Sequence, residues 1–157
     1  HEKVVERTKE IRKMLDDLGV RIWLRPETTG KGTQWGDLIE TLKLSQEVEG
    51  VLPCVDFSHL HARSVGKHNT LEEFRWQFEQ MEKYIGRKCL DNMHIHLAGI
   101  NYGPKGERNH LNLEDSDMNY KDLLRVWKEF KIKGVVTCES PNIEKDALLL
   151  QKIYKKV

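Results

Sequence analysis

The chain has 157 residues, which is enough for one ordinary domain with a buried core. Its 26 Lys and Arg residues nearly balance its 25 Asp and Glu residues, and this excludes a strongly basic, nonspecific nucleic-acid binder while allowing a local basic rim. No run of about 18 apolar residues is present, so a membrane span is excluded. Three cysteines without a Cys-x-x-Cys pair argue against a disulfide framework and predict a cytoplasmic, reducing location. The first residue is His1 rather than Met, and we expect a fragment.

The first half of the chain predicts two helix–strand repeats. A helical stripe over 4–18 ends at Gly19, a common C-cap residue, and a strand is predicted over 20–24. The pattern Asp-Leu-Ile-Glu at 37–40 indicates a capping box that opens a helix to about residue 49. The second strand is predicted over 51–55, where Pro53 requires a bulge or a bend because proline lacks the ladder donor.

The second half continues the alternation. A capping box at 70–73 opens a helix that ends near residue 85, and the third strand is predicted over 93–97. A long polar loop is expected over 99–119. It is followed by a helix around 123–130, a fourth strand over 134–138 and a last helix from about 142 to 154. Helices and strands that alternate at these lengths predict a parallel sheet made of right-handed βαβ units.

A potential metal ligand stands at or just past the end of every predicted strand. These ligands are Glu27, Asp56, His96 and Glu139. The carboxyl ends of parallel strands lie on one face, so we expect the four side chains to meet there. Three carboxylates and one imidazole suit zinc or manganese, and without a cation the carboxylates would repel one another. A central carboxylate such as Glu27 could bridge two metal ions.

The positions of the other histidines in the sequence predict different roles for them. His59 lies three residues after Asp56, on the predicted loop, and is a further candidate ligand, whereas His61 is interpreted as structural. His94 is two residues before His96, on the same side of the strand, and is predicted to support the site from the core. His110 lies in the long loop, where ligands and substrate contacts concentrate, and is also a candidate ligand.

Cationic and aromatic residues surround the candidate ligands along the sequence. Such side chains could hold phosphates and stack on bases, and we predict DNA contacts for five of them: Lys31, Trp35, Arg63, Lys105 and Arg108. The alternative for the loop residues is an ordinary solvated loop in which Trp35 packs on a neighbouring loop. The sequence supports both interpretations equally.

Four segments occur in the order typical of the endonuclease IV family. They read LRPETTGKG at 24–32, VDFSH at 55–59, IHL at 95–97 and CESP at 138–141. The sequence resembles most the archaeal branch of that family, which belongs to the xylose-isomerase-like TIM barrels. The resemblance runs over essentially the whole chain but covers only the second half of the family's barrel. It implies an α/β fold in which residues 1–157 form the C-terminal half of a (β/α)8 TIM barrel, with strands five to eight.

The resemblance also implies an activity. The family cleaves the DNA backbone 5′ to abasic sites and uses zinc ions, here expected as two or three in the full barrel, with manganese as an alternative. It implies that Glu27 bridges two metals and that Asp56, His96 and Glu139 complete one of these sites. His59 and His110 would serve a third metal. Glu27 and Glu139 are the expected catalytic carboxylates, and double-stranded DNA with abasic sites is the expected partner.

The sequence departs from the family pattern in two respects. The family's two further histidine ligands lie on earlier strands that this chain does not contain. The family also has an Asp two residues before the histidine that matches His110, and this chain has Arg108 there, with Glu107 adjacent. A half-barrel further requires the missing N-terminal half, or another chain, to cover its strand edges.

Two alternatives to a DNA-repair nuclease follow from the same residues. The first is a metal-dependent sugar isomerase or epimerase, because this barrel places similar ligands at the same strand ends for different reactions. A closed, sugar-sized pocket would favour it, whereas the cations of the two loops favour a polymer that carries phosphates. The second is that the chain by itself is inactive because it lacks part of the ligand set.

Overall fold

A computed structural model describes residues 1–157. Its elements, in chain order, are α1 (Glu2–Asp17), α2 (Leu38–Glu47), β1 (Cys54–Asp56), α3 (Phe57–Arg63), α4 (Leu71–Ile85), α5 (Arg87–Leu90), β2 (Met93–Leu97), β3 (Gly99–Gly103), β4 (Gly106–Leu111), a 3-10 turn (Leu113–Asp115), α6 (Tyr120–Glu129), β5 (Gly134–Cys138) and α7 (Glu144–Tyr154). The predicted α/β class is confirmed.

The main sheet is parallel, with the order β1-β2-β5. Two isolated parallel bridges, Leu24 with Val51 and Glu27 with Cys54, add the segment around 24–27 beside β1. Four parallel segments thus stand side by side in chain order, and helices connect them. This is the arrangement of consecutive strands in a (β/α)8 barrel. The sheet and its helices are therefore consistent with part of a TIM barrel, the predicted fold class.

The strand predicted over 20–24 is wrong in its position. Pairing begins only at Leu24, whose amide donates to the Gly50 carbonyl, and continues to Thr28, whose amide donates to the Cys54 carbonyl. Pro26 has no amide hydrogen, so the ladder is broken into separate bridges. Upstream, the carbonyls of Val20 and Ile22 accept hydrogen bonds from the Arg12 guanidinium instead of a neighbouring strand.

The second predicted strand is also shifted. β1 covers Cys54–Asp56, and the residues before it contribute only the bridge at Val51. Pro53 directly precedes β1, which is where a residue without an amide hydrogen can be accommodated. The third and fourth strands, β2 and β5, have the predicted limits.

The loop predicted over 99–119 is wrong, because most of it is ordered as a β-hairpin. Strands β3 and β4 pair antiparallel across a turn at Pro104 and Lys105, and a 3-10 turn follows them. Gly106 closes this turn with a φ of 93°, in the left-handed region that favours glycine. Glycines around a short turn between two candidate strands were a hairpin signal in the sequence.

The segment after β1 is the helix α3 and not the predicted loop. Asp56 is its N-cap, since one carboxylate oxygen accepts a hydrogen bond of 2.7 Å from the His59 amide. Both predicted capping boxes are confirmed, at Asp37 with Glu40 and at Thr70 with Glu73. Side-chain hydrogen bonds of the N-cap residues Asp37, Asp56 and Thr70 therefore fix where α2, α3 and α4 begin.

The core lies between the sheet and the helices α3, α4 and α6. Phe57 stacks on Phe78 with ring centroids 5.5 Å apart and meets Phe74 edge-on at 6.4 Å. All three rings are fully buried. Each aromatic side chain removes a large apolar area from water, which fixes α3 directly behind the carboxyl end of β1.

The outer strand of the sheet is open to solvent. Val135 on β5 is 60% exposed and Val136 is 44% exposed, whereas Ile95 on the neighbouring β2 is buried. None of the helices is both long enough and apolar enough to cross a lipid bilayer.

Candidate metal centre and cationic groove

The four strand-end ligands predicted from the sequence meet at one place, and we call them the strand-end cluster: Glu27, Asp56, His96 and Glu139. Their ligand atoms lie within 4.8 Å of one another. Parallel register explains this, because Asp56 pairs with His96 across β1 and β2, and the Glu139 amide donates to the Leu97 carbonyl. The carboxyl ends of the strands are therefore level with one another.

His96 stands between two carboxylates of the cluster. Its Nδ1 atom is 3.1 Å from Glu27 Oε1 and 3.2 Å from Glu139 Oε1. The alternation of β2 produces this orientation, since Met93, Ile95 and Leu97 are buried in the core and His94 and His96 face the other side. The arrangement brings two negative charges to a single imidazole.

Asp56 is fully buried, and one of its carboxylate oxygens, Oδ2, has no hydrogen-bond partner. Burial raises the pKa of Asp56, and Glu27 and Glu139 raise it further, against the opposing effect of His59. A buried, unpaired carboxylate oxygen is costly unless a cation neutralises it. The cluster therefore fits a divalent metal ion, with oxygen and nitrogen ligands typical of zinc or manganese.

His59 and His110 form a second group next to the first, and we call them the histidine pair. Their Nε2 atoms are 3.5 Å apart, and Asp56 has a ligand atom within 4.8 Å of both. Burial lowers the pKa of His59, but Asp56, the hydrogen bond to the Thr28 carbonyl, Glu107 and Glu27 together raise it. All six predicted metal ligands are thus gathered on one face of the sheet.

His94 and Cys54 lie one layer below the strand-end cluster. The His94 ring meets His96 edge-on with centroids 5.1 Å apart, and Cys54 pairs with His94 in the sheet. Burial raises the pKa of the Cys54 thiol to about 12, with further contributions from Glu27 and Asp56. Burial, His96 and Arg25 lower the pKa of His94. His94 thus has the supporting position expected from its spacing.

Four of the five predicted DNA contacts line one open groove, which we call the cationic groove: Lys31, Arg63, Lys105 and Arg108. Its volume is about 860 Å³, and no hydrophobic residue lines it. Glu107 belongs both to this groove and to the metal face, since its Oε2 is 3.5 Å from His59 Nε2. The groove therefore leads directly to the candidate metal centre.

The four cationic side chains of the groove differ in whether they already have hydrogen-bond partners within the chain. Lys31, Lys105 and Arg108 are exposed, and their side chains make no hydrogen bond or ion pair within the chain. Arg63 instead donates to the Thr29 carbonyl and hydroxyl at 2.8 and 2.7 Å and to the Gln34 carbonyl. Arg63 therefore positions the first loop, and the other three are available for anions.

Trp35 does not lie in the groove. Its indole is half-buried against Val5, Leu44, Val48 and Val51, and its Nε1 donates to the His1 ring at 3.3 Å. This corresponds to the packing alternative considered for Trp35, although the surface on which it packs is helical. The contact to α1 and α2 could not be inferred from the neighbouring sequence, because it joins residues distant along the chain.

The sequence analysis missed the role of Glu107 and the partners of His61, which it had interpreted as structural. Glu107 was noted only beside a departure from a family pattern, yet its carboxylate touches the histidine pair. His61 is fully buried and contacts Asp117 at 3.0 Å, and Tyr102 donates to the same carboxylate at 2.6 Å. This network ties the β3–β4 hairpin to α3 and so holds His110 opposite His59.

Comparison with known proteins gives two matches. The sequence model of a family described as "Xylose isomerase-like TIM barrel" matches residues 1–156. The uncharacterized protein MJ0133 of Methanocaldococcus jannaschii is 46% identical over 157 residues, which are 100% of this chain and 57% of that protein. The chain therefore spans little more than half the length of this relative.

Proposed function

Because the chain belongs to the xylose isomerase-like TIM barrel family, we propose that it carries the C-terminal half of a zinc-dependent DNA-repair phosphodiesterase that cleaves the backbone 5′ to abasic sites. The family includes both AP endonucleases and sugar isomerases, and its members are generally metal-dependent enzymes. The cationic groove beside the metal face supports the nuclease. A free sugar offers no phosphates to Lys31, Lys105 and Arg108, whereas a DNA strand does.

Each part of the site has a role in the proposal. Glu27, Asp56, His96 and Glu139 would hold divalent metal, which supplies a Lewis acid at the phosphate oxygen and lowers the pKa of water. Lys31, Lys105 and Arg108 bind neighbouring phosphates and fix the register of the strand. Arg63 holds the loop that carries Lys31, and the buried Asp56 N-cap fixes His59.

We also propose that sequence outside these 157 residues, or another chain, completes the barrel. The exposed valines of β5 and the broken ladder at Leu24 are the sheet edges that such a half would cover. Manganese is the alternative metal, since the same donors bind it. The three free cysteines agree with a reducing, cytoplasmic location.

The proposal is tested with an oligonucleotide duplex that contains one abasic site and the intact gene product. We expect incision on the 5′ side, loss of incision after EDTA treatment, and recovery when zinc or manganese is restored. A duplex without the lesion is the matched substrate control. Incision that survives complete chelation, or no incision with either metal, contradicts the nuclease, and isomerisation of a free sugar under the same conditions would establish the alternative.

The groove makes a separate prediction about DNA affinity. Lys105→Ala and Arg108→Ala are each expected to weaken duplex binding at low salt and to reduce the slope of log affinity against log salt by about 1. Lys43→Ala is the control, because Lys43 is an exposed lysine on α2 without an ion pair. A salt slope that is unchanged in both groove variants would show that the groove does not contact phosphates.

A further inference from the structure

Cys54, His94 and His96 lie together on the face of the sheet that carries the strand-end cluster, and we call them the thiol–imidazole group. One ligand atom of each, the Cys54 Sγ and a ring nitrogen of each histidine, lies within 4.8 Å of the other two. Cys54 pairs with His94 across β1 and β2, one layer below the pair of Asp56 and His96. Alternate residues of a strand point to one side, so the four side chains share this face. The thiol–imidazole group therefore has only His96 in common with the strand-end cluster.

His94 has no partner that would occupy its ring nitrogens. The ring makes no hydrogen bond or ion pair within the chain and meets the His96 ring edge-on, with centroids 5.1 Å apart. A residue that supports a neighbouring metal ligand does so through a hydrogen bond, which His94 does not make. A neutral imidazole has one lone pair, and in His94 that lone pair is available to a cation.

Cys54 adds a sulfur ligand in a negatively charged environment. It is a free cysteine and is buried. Glu27 forms a parallel bridge with it, and Asp56 lies two residues further along the same strand. Neighbouring carboxylates oppose an isolated thiolate, but they favour a thiolate that is bound to a divalent cation. Cys54 is therefore better suited to binding a metal than to acting as a free nucleophile.

His96 can serve only one metal ion at a time. One nitrogen of a neutral imidazole carries hydrogen, so the ring has a single lone pair. Its Nδ1 atom lies 3.1 Å from Glu27 Oε1 and 3.2 Å from Glu139 Oε1, where it would ligate an ion in the strand-end cluster. An ion that Cys54 and His94 hold would need the same lone pair. Use of His96 by one group therefore excludes its use by the other.

We infer that the thiol–imidazole group binds a thiophilic divalent ion such as cadmium, and that this ion competes with the strand-end cluster for His96. One thiolate and two imidazoles select softer ions, whereas the three carboxylates of the strand-end cluster suit harder ones. On binding, the Cys54 thiol releases its proton to solvent and its sulfur donates an electron pair to the ion. Water can fill a fourth position, since His94 and His96 are only half-buried. The site does not depend on the reaction that the strand-end cluster catalyses.

Cobalt(II) makes ligation by sulfur visible. A cobalt–thiolate bond gives an intense charge-transfer band in the near ultraviolet, which oxygen and nitrogen ligands do not produce. Metal-free intact gene product is titrated with cobalt(II), and we expect the band in the unaltered protein and its loss in Cys54→Ser. Cys138→Ser is the matched control and should keep the band, because Cys138 is a free cysteine that lines the cavity on the core side of the sheet. Absence of the band in the unaltered protein, or an undiminished band in Cys54→Ser, overturns the inference.

His94→Gln keeps the test valid if Cys54→Ser misfolds. His94 is half-buried and makes no hydrogen bond, so the variant should fold. The cobalt affinity that the band reports should fall at least about tenfold, as it does when groups around a metal are removed. Unchanged affinity in this variant overturns the site.

The competition for His96 is measured as release of zinc. Zinc-loaded intact gene product is mixed with an equimolar amount of cadmium, and free zinc is determined with a chromogenic chelator. We expect release from the unaltered protein and from Cys138→Ser, and much less from Cys54→Ser. Equal release from Cys54→Ser, or full retention of zinc while cadmium is bound, overturns the competition. None of these measurements uses abasic DNA, so a lack of incision beside the expected metal binding refutes only the proposed function.

Discussion

Glu27→Gln and Glu139→Gln are each expected to abolish metal-dependent cleavage, with a loss of at least about 1000-fold in rate. Metal ions contribute several kcal/mol to the stabilisation of charge in phosphoryl transfer, and each 1.4 kcal/mol is about tenfold in rate. Glutamine has the size of glutamate but not its charge, so the cluster loses metal affinity. Both side chains are partly exposed, at 38% and 29%, so the fold should be retained.

The measurement is single-turnover incision of the abasic duplex, together with zinc content and circular dichroism. Glu79→Gln is the matched control, because Glu79 is exposed on α4 and forms no ion pair. Both site variants should fold and lose zinc from the strand-end cluster, and the control should behave as the unaltered protein. Full activity in both site variants would remove the cluster from the mechanism.

Asp56→Asn is expected to change stability in opposite directions with and without metal. In metal-free protein the Asp56 carboxylate is buried next to Glu27 and Glu139, and removing its charge should stabilise the fold. With zinc present the variant should be less stable than the unaltered protein, because it has lost a charged ligand and the stabilisation by bound metal.

The raised pKa of Asp56 determines how the stability of the metal-free protein changes with pH. Burial raises the pKa of Asp56 above the usual range of a carboxyl group, so the folded state keeps the proton to a higher pH than the unfolded chain does. The contribution of Asp56 to the free energy of unfolding therefore falls as pH rises from its unfolded pKa to its folded pKa. This contribution is lowest above the folded pKa. In EDTA, the stability advantage of Asp56→Asn should grow as pH rises above about 4, the ordinary pKa of an Asp carboxyl.

Urea unfolding at several pH values, with EDTA and with zinc, checks both parts of the prediction. The Asp56 Oδ1 atom accepts from the His59 amide, and an asparagine oxygen can keep that cap, so α3 should remain intact. A metal-free variant that is less stable than the unaltered protein at neutral pH would show that the carboxylate is satisfied in solution.

Local patterns were sufficient for several elements of the fold. The capping boxes at Asp37 and Thr70 and the strands Met93–Leu97 and Gly134–Cys138 follow from residues that are close in the sequence. The alternation of helices and strands then predicts a parallel sheet, whose carboxyl ends share one face. Proximity of Glu27, Asp56, His96 and Glu139 follows from that rule without knowledge of any distance.

Other features depend on partners that are distant along the chain. The segment 20–23 has the composition of a strand, but the Arg12 guanidinium donates hydrogen bonds to the carbonyls of Val20 and Ile22, and no strand pairs with them. Trp35 is a residue type that often stacks on bases. Its indole instead packs on a buried aliphatic cluster outside the groove, which consists of Val5, Leu44, Val48 and Val51. Hydrophobic burial decides such positions, and it is not visible in a short window of sequence.

The sequence by itself determined the parallel α/β arrangement and the four candidate ligands at the strand ends, because periodicity and spacing along a strand fix which way each side chain points. The half-barrel was implied by the resemblance to a known family. Only the tertiary structure decided how His59, Glu107 and His110 meet. Their approach requires a helix where a loop was expected, a hairpin where no strand was expected, and one bulged residue that reverses the face of Glu107. Each of these depends on hydrogen bonds to a partner strand or loop, which no local pattern specifies.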